Sequence, residues 1–161
     1  MEYALPALAL PAFLATAAFI APTFAEARQV TFETALKAYG GNGAYVALYL
    51  LDASGKYKGT LWMAGDKTKY YRHLSDWSRA SGGRLAEVDG ITGASVGSGK
   101  TLKITVDIAD ALINAGYKVH VDTAVEDGMD NPSEVVAPLD ASTSGKPTAG
   151  DGYVKSFKAT F

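Results

Sequence analysis

The sequence predicts an all-β domain, an immunoglobulin-like β-sandwich with one inserted short helix. Three observations carry this. Seven short segments are alternating or continuously apolar, and clusters of Gly, Asp, Ser and Pro separate them. A single clear stretch, Lys67 to Ala80, has helical spacing instead. Finally, Ala115-Gly116-Tyr117 leads through a glycine into an alternating strand, which suits an immunoglobulin-like module.

The elements follow in order. Val30 to Leu36 alternates and reads as a strand, and Gly40-Gly41-Asn42-Gly43 breaks it. Ala44 to Leu51 is apolar throughout, the pattern of a strand buried on both faces. Asp52-Ala53-Ser54-Gly55-Lys56 supplies hairpin chemistry, and Tyr57 to Met63 returns as the third strand. Next, Tyr70, Tyr71, Leu74 and Trp77 share one helical face, with Asp66 expected as N-cap and Gly82-Gly83 as the stop. Thr101 to Ile108 alternates cleanly, and Ile108 to Ala115 reads equally as a helical turn or a connection. Ala115 to Asp122, Val135 to Ala137 and Tyr153 to Phe161 complete the strands, with loops expected over 127–133 and 140–152.

Composition narrows the function. The chain has 161 residues, enough for one domain with a sizeable core. It contains no cysteine, so disulfides, zinc–thiolate sites and thiol nucleophiles are excluded. A formal net charge of −2 argues against nucleic acid as the main partner, and His73 and His120 are too few for a histidine-rich metal site. Residues 3–25 form a nearly uncharged run ending Thr23-Phe24-Ala25, a small-x-small pattern of the signal-peptidase type. Met1-Glu2 lacks the basic residues of a usual signal, so an uncleaved N-terminal anchor is the alternative for residues 1–25. Pro6, Pro11 and Pro22 favour a cleaved signal, which leaves 26–161 as one domain in the periplasm or its extracytoplasmic equivalent.

The most distinctive stretch is Asp89-Gly90-Ile91-Thr92-Gly93-Ala94-Ser95, followed by Val96-Gly97-Ser98-Gly99. Its hydroxyls have small neighbours, as a loop needs when another molecule must approach closely. Asp-x-x-Thr-Gly-Ala-Ser resembles the acceptor motif of extracytoplasmic proteins that carry flavin mononucleotide (FMN) covalently. The resemblance implies a phosphoester on Ser95, with Asp89, Thr92, Gly93 and Ala94 completing the motif. It also implies a separate magnesium-dependent flavin transferase as partner, using flavin adenine dinucleotide (FAD) as donor. Thr is the commoner acceptor in such families, so Ser95 departs slightly from the pattern.

Further blocks stand in order: Tyr45-Val46-Ala47-Leu48-Tyr49, Asp52-x-x-Gly55-Lys56, Thr60-Leu61-Trp62, Tyr70-x-x-x-Leu74-x-x-Trp77 and Ala115-Gly116-Tyr117. With the loop motif they resemble the predicted periplasmic family catalogued as domain of unknown function 2271, over roughly residues 28 to 128. That family is associated with flavinylated electron-transfer systems beside membrane-spanning reductases. The resemblance therefore implies an electron carrier that works with a membrane-bound redox partner. Within the aromatic stripe, Trp77 and Tyr71 are candidates to stack on a flavin ring at the loop edge, against the simpler reading that they pack on the sheet.

Other motifs carry less. Ala94 to Thr101 fits a relaxed phosphate-loop pattern, but a strand follows Lys100 where that motif needs a helix N-terminus. His73, Ser75 and Asp76 are neighbours on one helix and do not converge as a triad would. Glu126 to Asn131 lacks the spacing of a calcium loop, and His120 is expected to face solvent with Lys118 and Asp122. The expected function is thus an exported FMN-bearing electron carrier rather than a substrate-turnover enzyme. A non-redox sandwich module for binding, and a flavoenzyme with a substrate pocket, remain open. Export has its own check: N-terminal sequencing of native protein should begin at Glu26, or at Arg28 if the peptidase reads Ala25-Glu26-Ala27. A chain that keeps Met1 and pellets with membranes contradicts cleavage.

Overall fold

Strand β2 (Ala44–Leu51) is the centre of the architecture. The structure, a computed structural model, describes residues 26–161, so the expected signal or anchor at 1–25 lies outside the described residues. Successive strand side chains point to opposite faces, so an unbroken apolar strand needs cover on both sides. Ala44, Val46, Leu48 and Leu50 enter the main core with Val30, Phe32, Val121 and Phe157. Tyr45, Ala47 and Tyr49 enter a second core with Met63, Tyr71, Leu74 and Trp77.

Two sheets enclose the main core. In one, β1 (Ala27–Leu36) lies between β5 (Thr101–Ala109) and β8 (Val154–Thr160). The other has the order β4 (Thr92–Gly93), β3 (Tyr57–Ala64), β2, β6 (Lys118–Val125), β7 (Asp130–Pro138). All pairings are antiparallel except that of β3 with β4. From β1 to β7, leaving β4 aside, the connectivity is that of immunoglobulin strands B to G. Strand β8 occupies the edge where the first strand of that fold lies. The all-β sandwich expected from the sequence is therefore the observed fold.

The segment between β3 and β4 folds over the outer face of the larger sheet. The single helix expected over Asp66 to Ala80 is instead two pieces. A 3-10 turn spans Thr68–His73, Leu74 breaks the chain at φ −81° and ψ 71°, and α1 runs Ser75–Ser81. Lys67, not Asp66, precedes the first turn. The break lets both pieces bury their apolar side chains on a curved sheet, which one straight helix would not. The stop is as expected: Gly82 adopts the left-handed conformation that ends a helix, with φ 68°. The ambiguous stretch after β5 is a short 3-10 turn, Asp110–Leu112.

Asp122 joins the insertion to the sheet. It is fully buried, not solvent-facing as the alternation of β6 suggests, because α1 covers its side of the strand. Its Oδ2 accepts the Trp77 backbone N–H at 2.8 Å. Its Oδ1 accepts the Ser133 N–H at 2.8 Å and the Tyr49 hydroxyl at 2.9 Å. Burial pushes the Asp122 carboxyl above its ordinary value, opposed by these three donors. Burial and the same carboxylate push the Tyr49 phenol up. The Ser133 bond also corrects the expected loop at 127–133, since β7 begins at Asp130. Pairing resumes as Thr123 with Asn131 beyond a bulge opposite Asp122. Pro132 is tolerated there because β7 is an edge strand. His120 is half-buried, with Nδ1 3.1 Å from Ser133 Oγ, and burial lowers its pKa.

Trp77 is 1% exposed and donates its indole N–H to Thr60 Oγ1 at 2.8 Å. Trp77→Ala should lower unfolding free energy by about 3–5 kcal/mol, as large core truncations do, read by urea denaturation. A loss below about 1 kcal/mol would contradict its place in the second core.

Candidate functional site

The insertion returns to the sheet as the Asp89–Ser95 loop. Val88 is buried, Asp89 and Gly90 turn outward, and Ile91 N–H donates back to the Val88 carbonyl at 3.1 Å. Thr92 and Gly93 then form β4, parallel to Met63 and Ala64. Two bonds pin it: Met63 N–H to the Ile91 carbonyl at 3.0 Å, and Gly65 N–H to the Gly93 carbonyl at 2.7 Å. Just beyond, Val96 pairs with Ala44 through reciprocal bonds of 2.7 and 2.9 Å, and its side chain enters the main core. Ala94 and Ser95 are therefore an exposed two-residue span between two fixed points. The chain continues through Gly97–Lys100, whose turn closes with a 3.0 Å bond, and into β5. A strand after Lys100 agrees with setting the phosphate-loop pattern aside.

Val96 points inward, so Ser95 points to the outer face, where Tyr45 also lies. The residue facing its hydroxyl is Gly43. A Cβ on Gly43 would stand 2.6 Å from Ser95 Oγ and 3.1 Å from Ser95 Cβ. The missing side chain leaves the room that the Ser95 side chain occupies, and Ser95 remains exposed. The glycine inside the motif has another role, because a Cβ on Gly93 would stand 3.0 Å from the Trp62 ring at Cζ2. Gly93 is thus a seat for Trp62, whose indole nitrogen is buried without a partner. The Lys100 stem lies along the same turn, with its Cγ 3.3 Å from the Cβ position of Gly97.

Of the expected site residues, the structure brings Asp89, Thr92, Gly93, Ala94 and Ser95 onto one loop, with Asp89, Thr92, Ala94 and Ser95 exposed. Trp77 and Tyr71 are not at its edge as stacking surfaces. They are 1% and 3% exposed, and Tyr71 donates its hydroxyl to the Gly65 carbonyl at 2.7 Å. Their polar atoms are engaged inside the second core, so packing is their role. Gly43 and Trp62 were not marked as site residues by sequence reasoning. The run Gly40-Gly41-Asn42-Gly43 was the available signal for the first, and nothing local signals the second.

The remaining polar groups serve structure. His73 Nδ1 lies 2.9 Å from Asp130 Oδ2, and Asp76 accepts from Arg79 and from Ser133 Oγ, each at 2.8 Å. No triad assembles from His73, Ser75 and Asp76. Glu126 accepts from the Tyr70 hydroxyl. Among the described residues no group of His, Asp and Glu is placed to hold a metal ion.

The two glycines make separable predictions. Gly93→Ala should cost about 1–3 kcal/mol, because the bulky Trp62 ring must shift to admit the added volume. Gly43→Ala should cost less than about 1 kcal/mol, since the Ser95 hydroxyl can swing aside, yet it should shift the Ser95 resonances in NMR spectra. Equal costs for the two, or unmoved Ser95 resonances, would contradict this division.

A family model described as predicted periplasmic protein, DUF2271, matches residues 27–156. The match extends past the 28–128 expected from the sequence blocks, through β7 and into β8. No curated protein and no solved structure matches the chain.

Proposed function

We propose, for a chain that belongs to the DUF2271 family of predicted periplasmic proteins, that Ser95 carries FMN as a covalent phosphoester and that the domain is an electron carrier. One observation supports this above the others. The last hydroxyl of Asp89-x-x-Thr92-Gly93-Ala94-Ser95 stands exposed on a two-residue span, beside a glycine that leaves it room. A loop pinned on both sides can enter a second enzyme's active site without unfolding the sandwich.

The residues present suit the group. Ser95 supplies an exposed hydroxyl, and Gly43 supplies room beside it. In the attachment step Ser95 Oγ attacks the FMN-side phosphorus of FAD. The phosphorus–oxygen bond of the pyrophosphate breaks and adenosine monophosphate leaves, while the serine proton passes to a base of the transferase. An unactivated hydroxyl is a weak nucleophile at neutral pH, and Ser95 makes no side-chain hydrogen bond to Asp89, the carboxylate of the motif. The transferase and its metal must therefore activate the hydroxyl, and the protein does not modify itself. Once attached, the flavin supplies the redox chemistry by accepting and returning electrons. The protein holds the tether on a rigid edge and presents it to a membrane-bound partner.

Co-expression with a flavin transferase should give protein that stays fluorescent on a denaturing gel, and omitting the transferase should abolish the signal. Ser95→Ala should remove the flavin and leave the fold intact by circular dichroism. Ser95→Thr should retain it, Ser98→Ala should be silent, and Thr92→Ala should weaken labelling without moving it. Covalent flavin on Ser95→Ala protein, or none on wild type beside an active transferase, overturns the carrier reading in favour of a non-redox binding module.

A further inference from the structure

On the outer face, beside the loop, lies a cleft of about 360 Å³ lined by Tyr45, Tyr70, His73, Ala124, Glu126 and Gly128 among others. This volume is within the range of small-ligand sites. Its aromatic wall is built: the Tyr45 and Tyr70 rings meet edge-on at 5.4 Å. Tyr45 itself is held over Gly65, where a Cβ would stand 2.0 Å from the ring. Glu126 holds the Tyr70 hydroxyl.

The cleft and Ser95 share a face and a neighbour. Ala44 pairs with Val96 on one side and Val125 on the other, which sets the tether and the cleft wall two strand spacings apart, about 10 Å. Gly43, next to Ala44 in the chain, adds no side chain beside Ser95 on this face. Charge decides which end of a ligand takes which place. Three carboxylates, Glu126, Asp127 and Asp130, line the cleft against His73 and the Lys69 ammonium over the Tyr70 ring, a balance that disfavours phosphate, while an uncharged planar ring meets the tyrosines there.

We propose that the cleft between Tyr45, Tyr70 and the turn joining β6 to β7 is the seat of the isoalloxazine ring of a flavin tethered at Ser95. This rests on the carrier reading, and the two fail differently. With flavin on Ser95 established by mass spectrometry, phenol rings in contact with it should quench its emission several-fold relative to the denatured protein. Tyr70→Leu keeps apolar bulk and should restore much of that emission in the folded state. Tyr117→Leu, which lies outside the cleft, should change nothing. A second variant sits on an exposed turn: Asp127→Asn removes negative charge beside the ring and should raise the flavin midpoint potential. Asp107→Asn, on the other sheet, should leave the potential unchanged. Flavin on Ser95 with full native emission, indifferent to Tyr70→Leu and Asp127→Asn, overturns the seat and leaves the carrier reading standing. A chain that never acquires flavin at Ser95 overturns both.

Discussion

The buried carboxylate of Asp122 is the contact on which the arrangement depends. Immunoglobulin-like sheets commonly leave their outer faces to water, and here one such face is apolar along β2. The segment after β3 covers it, and Asp122 joins that cover to the sheet by accepting from Trp77, Ser133 and Tyr49. A buried carboxylate is costly unless its oxygens are satisfied, and this one is satisfied from three elements at once. The same contact sets the start of α1, the bulge of β7 and the second core. The insertion it holds to the sheet leads on into the Asp89–Ser95 loop.

That loop has a divided construction. Gly93 serves packing, because Trp62 occupies the space a side chain would need. Room for the Ser95 side chain comes from Gly43, a residue outside the motif and on another strand boundary. Pinning by β3 on one side and Ala44 on the other keeps the exposed span to two residues, so the Ser95 hydroxyl is displayed with little conformational freedom. The neighbouring aromatic cleft lies on the same face because strand alternation sends Ser95 and Tyr45 the same way.

Much of this was legible in the residues. The apolar run of β2 announced a strand covered on both faces, and the alternation of β1 and β5 placed them correctly. The Asp-x-x-Thr-Gly-Ala-Ser pattern pointed to the loop that the fold then displayed. What escaped was set by partners distant in the chain. Alternation made Asp122 look outward, since nothing in β6 tells that α1 will cover it. The aromatic stripe implied one helix, but fitting a curved sheet broke it at Leu74. Strand β4 is only two residues long and borrows its bonds from the edge of β3, so it has no pattern of its own. The stacking role suggested for Trp77 and Tyr71 gave way to burial in the second core, whereas Tyr45 and Tyr70 line the cleft.

The central claim is chemical modification of one hydroxyl, and peptide mapping of protein isolated from its native host tests it most directly. Trypsin cuts after Arg84 and Lys100, releasing Leu85 to Lys100 as one peptide that contains Thr92, Ser95 and Ser98. Fragmentation should place a phosphoriboflavin group on Ser95 alone. The unmodified peptide from such a preparation, or the group on Thr92 or Ser98, would contradict the account.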